Sequence, residues 1–190
     1  MYIRILIVFL LLSPTALFAQ AELSQEELLE VLEVKIRFAK HIAYNPTVIR
    51  AVEAQNARKI PLDTIRKNDQ EWVDAKGKTT SLMRDVTTND VAKYLRRRIE
   101  NNSAIVEAFI TDNQGANVAA YPATSDYWQG DEEKWSASFN NGDGQLFLGP
   151  LELDSSTNKT LIQISTPVKQ GAETIGVLIL GVSVDYLSAQ

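Results

Sequence analysis

Apolar positions in the first part of the chain recur at helical spacing. Leu29, Leu32, Ile36, Ala39 and Ala43 step by three and four residues, which places them on one stripe of a helix. Ser24-Gln25-Glu26-Glu27 has the form of a capping box, so the helix is predicted to start near Ser24. The stripe needs a partner, either the chain's own sheet or the same helix of a second copy. A seam of little more than two heptads does not decide between them. Asn45-Pro46 interrupts the pattern, because proline lacks the N–H that would bond back to Ile42 and restricts the residue before it. A kink or a fresh helix start is predicted there. A further helix is predicted over Asp63 to Asp74, ahead of the turn-like Ala75-Lys76-Gly77-Lys78. Another follows Thr87-Thr88-Asn89-Asp90, with Val91, Tyr94, Leu95 and Ile99 inward and Asn101-Asn102-Ser103 at its end.

The period then shortens. Ile105 to Thr111, a turn at Asp112-Asn113-Gln114-Gly115, and Ala116 to Tyr121 read as a β-hairpin, with Gly115 supplying the positive φ of a short loop. Asp131 to Asn140 reads as a short helix capped by Asp131. Three strands follow: Gln145 to Leu151, Thr160 to Val168 and Glu173 to Val184. In the second of these, Ile162, Ile164 and Val168 alternate with Gln163 and Ser165, so one side is wet or faces a pocket. The last is apolar on both faces and belongs at the centre of the sheet, while Pro150 puts its own strand at an edge. The class is α+β, a long N-terminal helix and helical layer followed by hairpin, connecting segment and three-stranded meander.

The first residues change the picture of where this domain works. Arg4, the apolar run Ile5 to Leu12 and the small residues ending at Ala19-Gln20-Ala21 have the order of a secretory signal peptide. The run is shorter than the roughly 20 apolar residues a membrane span needs, and Ser13-Pro14 breaks it. Cleavage after Ala19 or Ala21 is expected, giving a periplasmic or secreted protein; the runner-up is a chain tethered by an uncleaved N-terminal segment. Removing residues 1–21 leaves 169 of the 190, the size of one domain. Residues 22–103 form its helical segment and 104–190 its sheet and pocket.

Composition narrows the chemistry. With no cysteine, thiol nucleophiles, thiolate metal sites and a lipid-modified N-terminal cysteine are excluded. Glu22 to Ser103 holds 15 basic and 13 acidic residues, whereas Ala104 to Gln190 holds 3 and 11. That asymmetry argues against a nucleic-acid partner, and Arg96-Arg97-Arg98, the one basic cluster, reads as a solvated helix face. The lone His41 lies in the first helix, so a serine nucleophile lacks its usual base. Paired carboxylates could serve glycoside hydrolysis, a weak signal alone. Asn140-Asn141-Gly142-Asp143-Gly144 misses calcium-loop spacing and reads as a turn. No enzyme, metal or cofactor is predicted.

Aromatic residues concentrate near one loop instead: Tyr121, Tyr127, Trp128 and Trp135. Such walls suit a small-molecule pocket, although the same rings can close a core beneath a long loop. Asp126, Asp131 and Glu132 lie close by and could hold an amine, to which the rings add cation–π attraction. Turn formation is the alternative for Asp126, and capping the preferred one for Asp131.

The series Asp112-Asn113-Gln114-Gly115, Tyr121-Pro122, Thr124-Ser125-Asp126-Tyr127-Trp128, Thr166-Pro167-Val168 and Ile175-Gly176-Val177-Leu178 resembles the extracytoplasmic PAS-like sensor domains called Cache (PDC-type) domains. The resemblance spans about Ser24 to Tyr186, in the single-pocket form. It implies a five-stranded antiparallel sheet with a ligand pocket between the sheet and loops over one face. Tyr121, Asp126, Tyr127, Trp128 and Asp131 are the site residues expected, together with Arg84, which could reach an anionic ligand from the layer above the sheet or pair with Asp85. The amino-acid-binding branch carries an arginine shortly before a Trp-Tyr pair. No arginine precedes Trp128 closely, so that specificity is not implied. Family members usually feed a membrane-bound sensor kinase, a chemoreceptor or a cyclic-dinucleotide enzyme. The sequence ends four residues after Tyr186 without a second membrane segment, so a stand-alone, soluble co-sensor is the expectation. The alternative is a ligand-free interaction module docking through its N-terminal helix, on a partner or as a homodimer.

Overall fold

The computed structural model describes residues 25–154 and 159–183. The expected signal peptide and Ser24 of the capping box lie outside them. Among the described residues five helices come first: α1 (Gln25–Ala43), α2 (Pro46–Ala57), α3 (Leu62–Asp74), α4 (Ser81–Thr88) and α5 (Asp90–Ile99). Then come β1 (Ile105–Thr111), β2 (Asn117–Tyr121), α6 (Glu133–Phe139), β3 (Phe147–Asp154), β4 (Lys159–Gln170) and β5 (Glu173–Ser183).

The fresh start at Asn45-Pro46 is a new helix. Asn45 Oδ1 accepts from Thr47 N at 2.8 Å and Pro46 opens α2, where its missing N–H costs nothing. Asn89 caps α5 in the same way, accepting from Ala92 N at 2.9 Å. The sequence pattern does not predict α4: in its two turns Val86 is the one buried side chain, too little to show a period, and Thr80 starts it by accepting from Met83 N.

Two sequence expectations need correction. Asp131 does not cap α6; the N-cap is Glu132, without a side-chain cap bond, and Asp131 is exposed. The strand expected over Gln145 to Leu151 begins later and runs further, as β3, because Gln145 N donates to Ser138 O at the end of α6. Pro150 falls in the break of register between Leu148 and Leu151, which is how an edge strand takes in a proline.

The sheet is antiparallel throughout, ordered β2-β1-β5-β4-β3. The strand read as central, β5, is central, and residues 174–183 are all buried. On one face Ala108, Ile110, Ile162, Ile164, Leu178 and Leu180 pack with α1, α2 and α5. The apolar stripe of α1 thereby finds its partner in the chain's own sheet: Leu32, Ala39, Ile42 and Ala43 are buried there. On the other face Phe109, Val177 and Ile179 meet Ile65 and Trp72 of α3, Val86 of α4, and Tyr127. No helix among the described residues is long and apolar enough to cross a membrane.

Candidate functional site

This second face does not close completely. A cavity of about 540 Å³ is lined by residues of β1, β4 and β3, by the segment after β2, and by the start of α6. Its floor follows from register. Glu107 of β1 stands opposite Gly181 of β5, which stands opposite Gln163 of β4. Because the middle member has no side chain, the outer two meet above it, Gln163 Nε2 donating to Glu107 Oε1 at 3.0 Å. A Cβ at position 181 would come within 2.5 Å of Glu107 Cγ. The glycine is what lets a charged side chain lie over the sheet.

Residues 122–129 form the roof, entered through a cis Tyr121-Pro122 peptide. Their backbone is held from three sides. Asp69 on α3 accepts from both Tyr127 N (2.8 Å) and Trp128 N (2.9 Å). Trp72, one turn along the same helix, donates from Nε1 to Thr124 O at 3.0 Å, and Asn117 Nδ2 donates to Thr124 Oγ1 at 2.8 Å. Tyr127 O accepts from Asn117 N and Gly115 O accepts from Gln129 N, so the segment also covers the outer edge of β2. Gly115 (φ +87°) is required here twice, for its dihedral and because a Cβ would sit 2.5 Å from the Gly130 backbone.

The six residues expected to bind ligand distribute unevenly. Tyr121 lies beside the α5 end of the sheet, its hydroxyl donating to Glu100 Oε1 at 3.2 Å and its ring 5.6 Å from the Arg96 guanidinium. Arg84 is exposed on α4. Tyr127 is 3 % exposed and tilted against Trp72 at 5.9 Å, and burial, reinforced by the Asp112 carboxylate, pushes its hydroxyl up to about 12. Trp128 donates from Nε1 to Gln114 O at 2.7 Å beneath the Arg66 guanidinium. None of the six is on the cavity's lining. Asp126 comes nearest, bonded to Gln129, which is.

Glu107, Gln163, Gln129, Glu132, Lys134 and Glu152 are polar lining residues that the sequence pattern misses or only partly marks. Gln163 was legible as the wet side of its strand. Glu107 was not, since only register brings it to Gln163, 56 residues away.

Burial, then the Glu132 carboxylate, holds the Asp126 carboxyl above its ordinary range, with Gln129 and Lys134 acting the other way. Because the folded state raises this pKa, ionised Asp126 destabilises the fold. The cost is absent below the ordinary value of 3.8 and complete above the raised one. Asp126→Asn, which still accepts from Gln129, is therefore expected to melt higher than the parent at pH 7 and to lose that advantage at pH 3.5. Paired thermal melts at the two pH values check it; a lower melting point at pH 7 would contradict the sign.

Among the described residues, no group of three acidic or histidine side chains is placed to hold a metal ion. His41 is exposed on α1, the helix packed on the opposite face of the sheet.

No protein-family model and no curated protein matches the chain. Solved structures do. The V. cholerae histidine kinase DctB sensor domain superposes with a TM-score of 0.56 at 15% identity, over 87% of this chain and 54% of that one. The ligand-binding domain of Campylobacter jejuni chemoreceptor Tlp3, solved with L-valine, gives 0.38 at 13%, over 87% and 66%. This chain thus spans about half of the DctB domain, and the fold assignment rests on that superposition, above 0.5. By that superposition the chain has the fold of the Cache, or PDC-type, sensor domains.

Proposed function

We propose that this chain is an exported sensor protein that binds a small molecule in the cavity lined by β1, β4, β3 and the segment after β2, and presents the bound form to a membrane-associated signalling partner. The observation that carries the reading is the cavity, about 540 Å³ on the face away from α1, within the size range of small-molecule sites. A ligand-free module would be expected to fill this space with its own side chains. Here Gly181 makes room for the polar side chains Glu107 and Gln163 on the cavity floor, and three sets of hydrogen bonds hold the roof over it. The DctB likeness supports a sensor role rather than catalysis. The signal-peptide pattern of residues 1–21 supports export, and a sensor kinase, chemoreceptor or cyclic-dinucleotide enzyme is the partner class that fits the fold. Asp126 takes part as the residue orienting Gln129.

A thermal-shift screen of residues 22–190 against amines, short carboxylates, amino acids and sugars tests this. A ligand at a hundred times its Kd stabilises by about 2.7 kcal/mol. At least one class is expected to raise the melting temperature, and Ser125→Trp, an exposed position on the lining, is expected to abolish the shift without lowering the unliganded melting point. The absence of any shift at millimolar ligand would refute the small-molecule reading.

A further inference from the structure

The two edges of the sheet differ. On the β2 side the segment after β2 takes up the outer edge, Asn117 N donating to Tyr127 O and Gln129 N to Gly115 O. On the other side the sheet ends at β3, and no described strand follows it. An open edge of eight residues offers a row of N–H and C=O groups to another strand.

The side chains of β3 add a second observation. Register sets Leu148, Leu151 and Leu153 opposite Ile164, Ile162 and Thr160, so the three share the face of the sheet that carries α1. α1 packs over β4 and β5, and beyond it these leucines are 40, 55 and 67 % exposed. Together with Leu146 they make up half of the exposed large hydrophobic residues among those described. Pro150 blunts the edge only within the break between Leu148 and Leu151; from Leu151 on, the strand pairs residue for residue with β4.

A lipid surface would cover the leucines and leave the backbone unpaired, and a small molecule would do neither. Both needs are met by a strand with its own apolar row, which the same strand of a second copy supplies. A two-fold axis perpendicular to the sheet runs identical strands antiparallel and keeps their α1-bearing faces on one side. Centred on Glu152, it sets Leu151 opposite Leu153 of the partner subunit and the reverse, giving two apolar cross-strand pairs. Four leucines and a strand of backbone from each copy lie near the low end of what specific interfaces bury, about 1,200 Å² in total, which fits a dimer that dissociates on dilution.

We propose that the outer edge of β3 is an interaction surface for a second copy of this chain, joined by antiparallel pairing of residues 151–154 into one continuous sheet. Pro150, Glu152 and Leu153 also line the cavity, so the second copy stands beside the cavity wall. The inference is independent of what the cavity binds.

Sedimentation velocity of residues 22–190 at increasing concentration tests it, and a reversible monomer–dimer equilibrium is expected. Leu153→Lys is expected to weaken the dimer about tenfold or more without lowering the melting point of the monomer, because that side chain is already exposed. Val34→Lys, at an exposed position on α1, is expected to leave the dimer unchanged. Glu152 meets its own copy across the axis, so Glu152→Gln is expected to tighten the dimer several-fold. The chain has no cysteine, so Glu152→Cys allows a single kind of disulfide, between facing residues whose Cα spacing suits the bond. Mild oxidation is expected to trap a covalent dimer. A monomer at every concentration, growth past the dimer, or a dimer insensitive to Leu153→Lys would overturn the proposal. A dimer broken by Val34→Lys would overturn it too, by placing the contact on α1. Failure of Glu152→Cys to be trapped at concentrations where the dimer forms would rule out the strand pairing.

Discussion

Asp112→Ala should lower the unfolding free energy by about 3 kcal/mol or more, one of the two largest single losses expected in this chain. Asp112 is 2 % exposed at the turn between β1 and β2. Its Oδ1 accepts from Gln114 N at 2.8 Å and Ala116 N at 2.9 Å, and its Oδ2 accepts from Gln55 Nε2 at 2.9 Å. Alanine removes the acceptor that these donors share in a largely buried turn. The same contact ties α2 to the hairpin, alongside Asn56, which accepts from Asn113 N and donates to Ile175 O. Burial pushes the Asp112 carboxyl above its ordinary range, so part of what these bonds contribute is offset by the cost of burying charge. Asparagine keeps the Oδ1 acceptor, avoids that cost and loses the Gln55 bond. It should therefore fall between parent and alanine. Urea unfolding of the three proteins checks the order, and an Asp112→Ala protein within 1 kcal/mol of the parent would contradict the account.

Trp72→Ala should cost about 3 to 5 kcal/mol and remove ligand binding at the same time. The indole is 2 % exposed in the cluster beneath the roof and tilted against Tyr127, and its N–H donates to Thr124 O. Truncation leaves a void in that cluster and frees the roof where it turns over the cavity. Trp72→Phe separates the two contributions: it keeps most of the packing and loses the hydrogen bond, for a loss nearer 1 kcal/mol. Hydrogen exchange localises the effect. Amides of residues 123–129 should exchange faster in both variants, whereas those of β5 should change only to the extent that global stability falls. A roof as protected in Trp72→Ala as in the parent would show that α3 does not hold it.

Much of this protein is legible in local sequence because local chemistry decides it. The 3-4 spacing of Leu32, Ile36, Ala39 and Ala43 fixes α1, Asn45-Pro46 restarts the chain as α2, and Asp112 to Gly115 turns the hairpin. The doubly apolar β5 goes to the middle of the sheet and Pro150 to its edge, since only there are both faces covered or an N–H dispensable. Where a helix is short and commits little apolar surface, as in α4, or where one of two adjacent acids could cap, as at Asp131 and Glu132, the local signal is too weak and packing decides.

The candidate site belongs almost wholly to tertiary structure. Aromatic density drew attention to Tyr127 and Trp128, yet the fold spends Tyr127 on the core and turns the Trp128 N–H to Gln114 O. Nothing local marks Asp69, an acid on a helix rich in charge, as the acceptor of two roof amides 58 and 59 residues away. Glu107, Gly181 and Gln163 look ordinary in their own strands. They become the floor of a cavity because antiparallel register sets them in one row, and register is a property of strand pairs, which no single stretch of sequence contains.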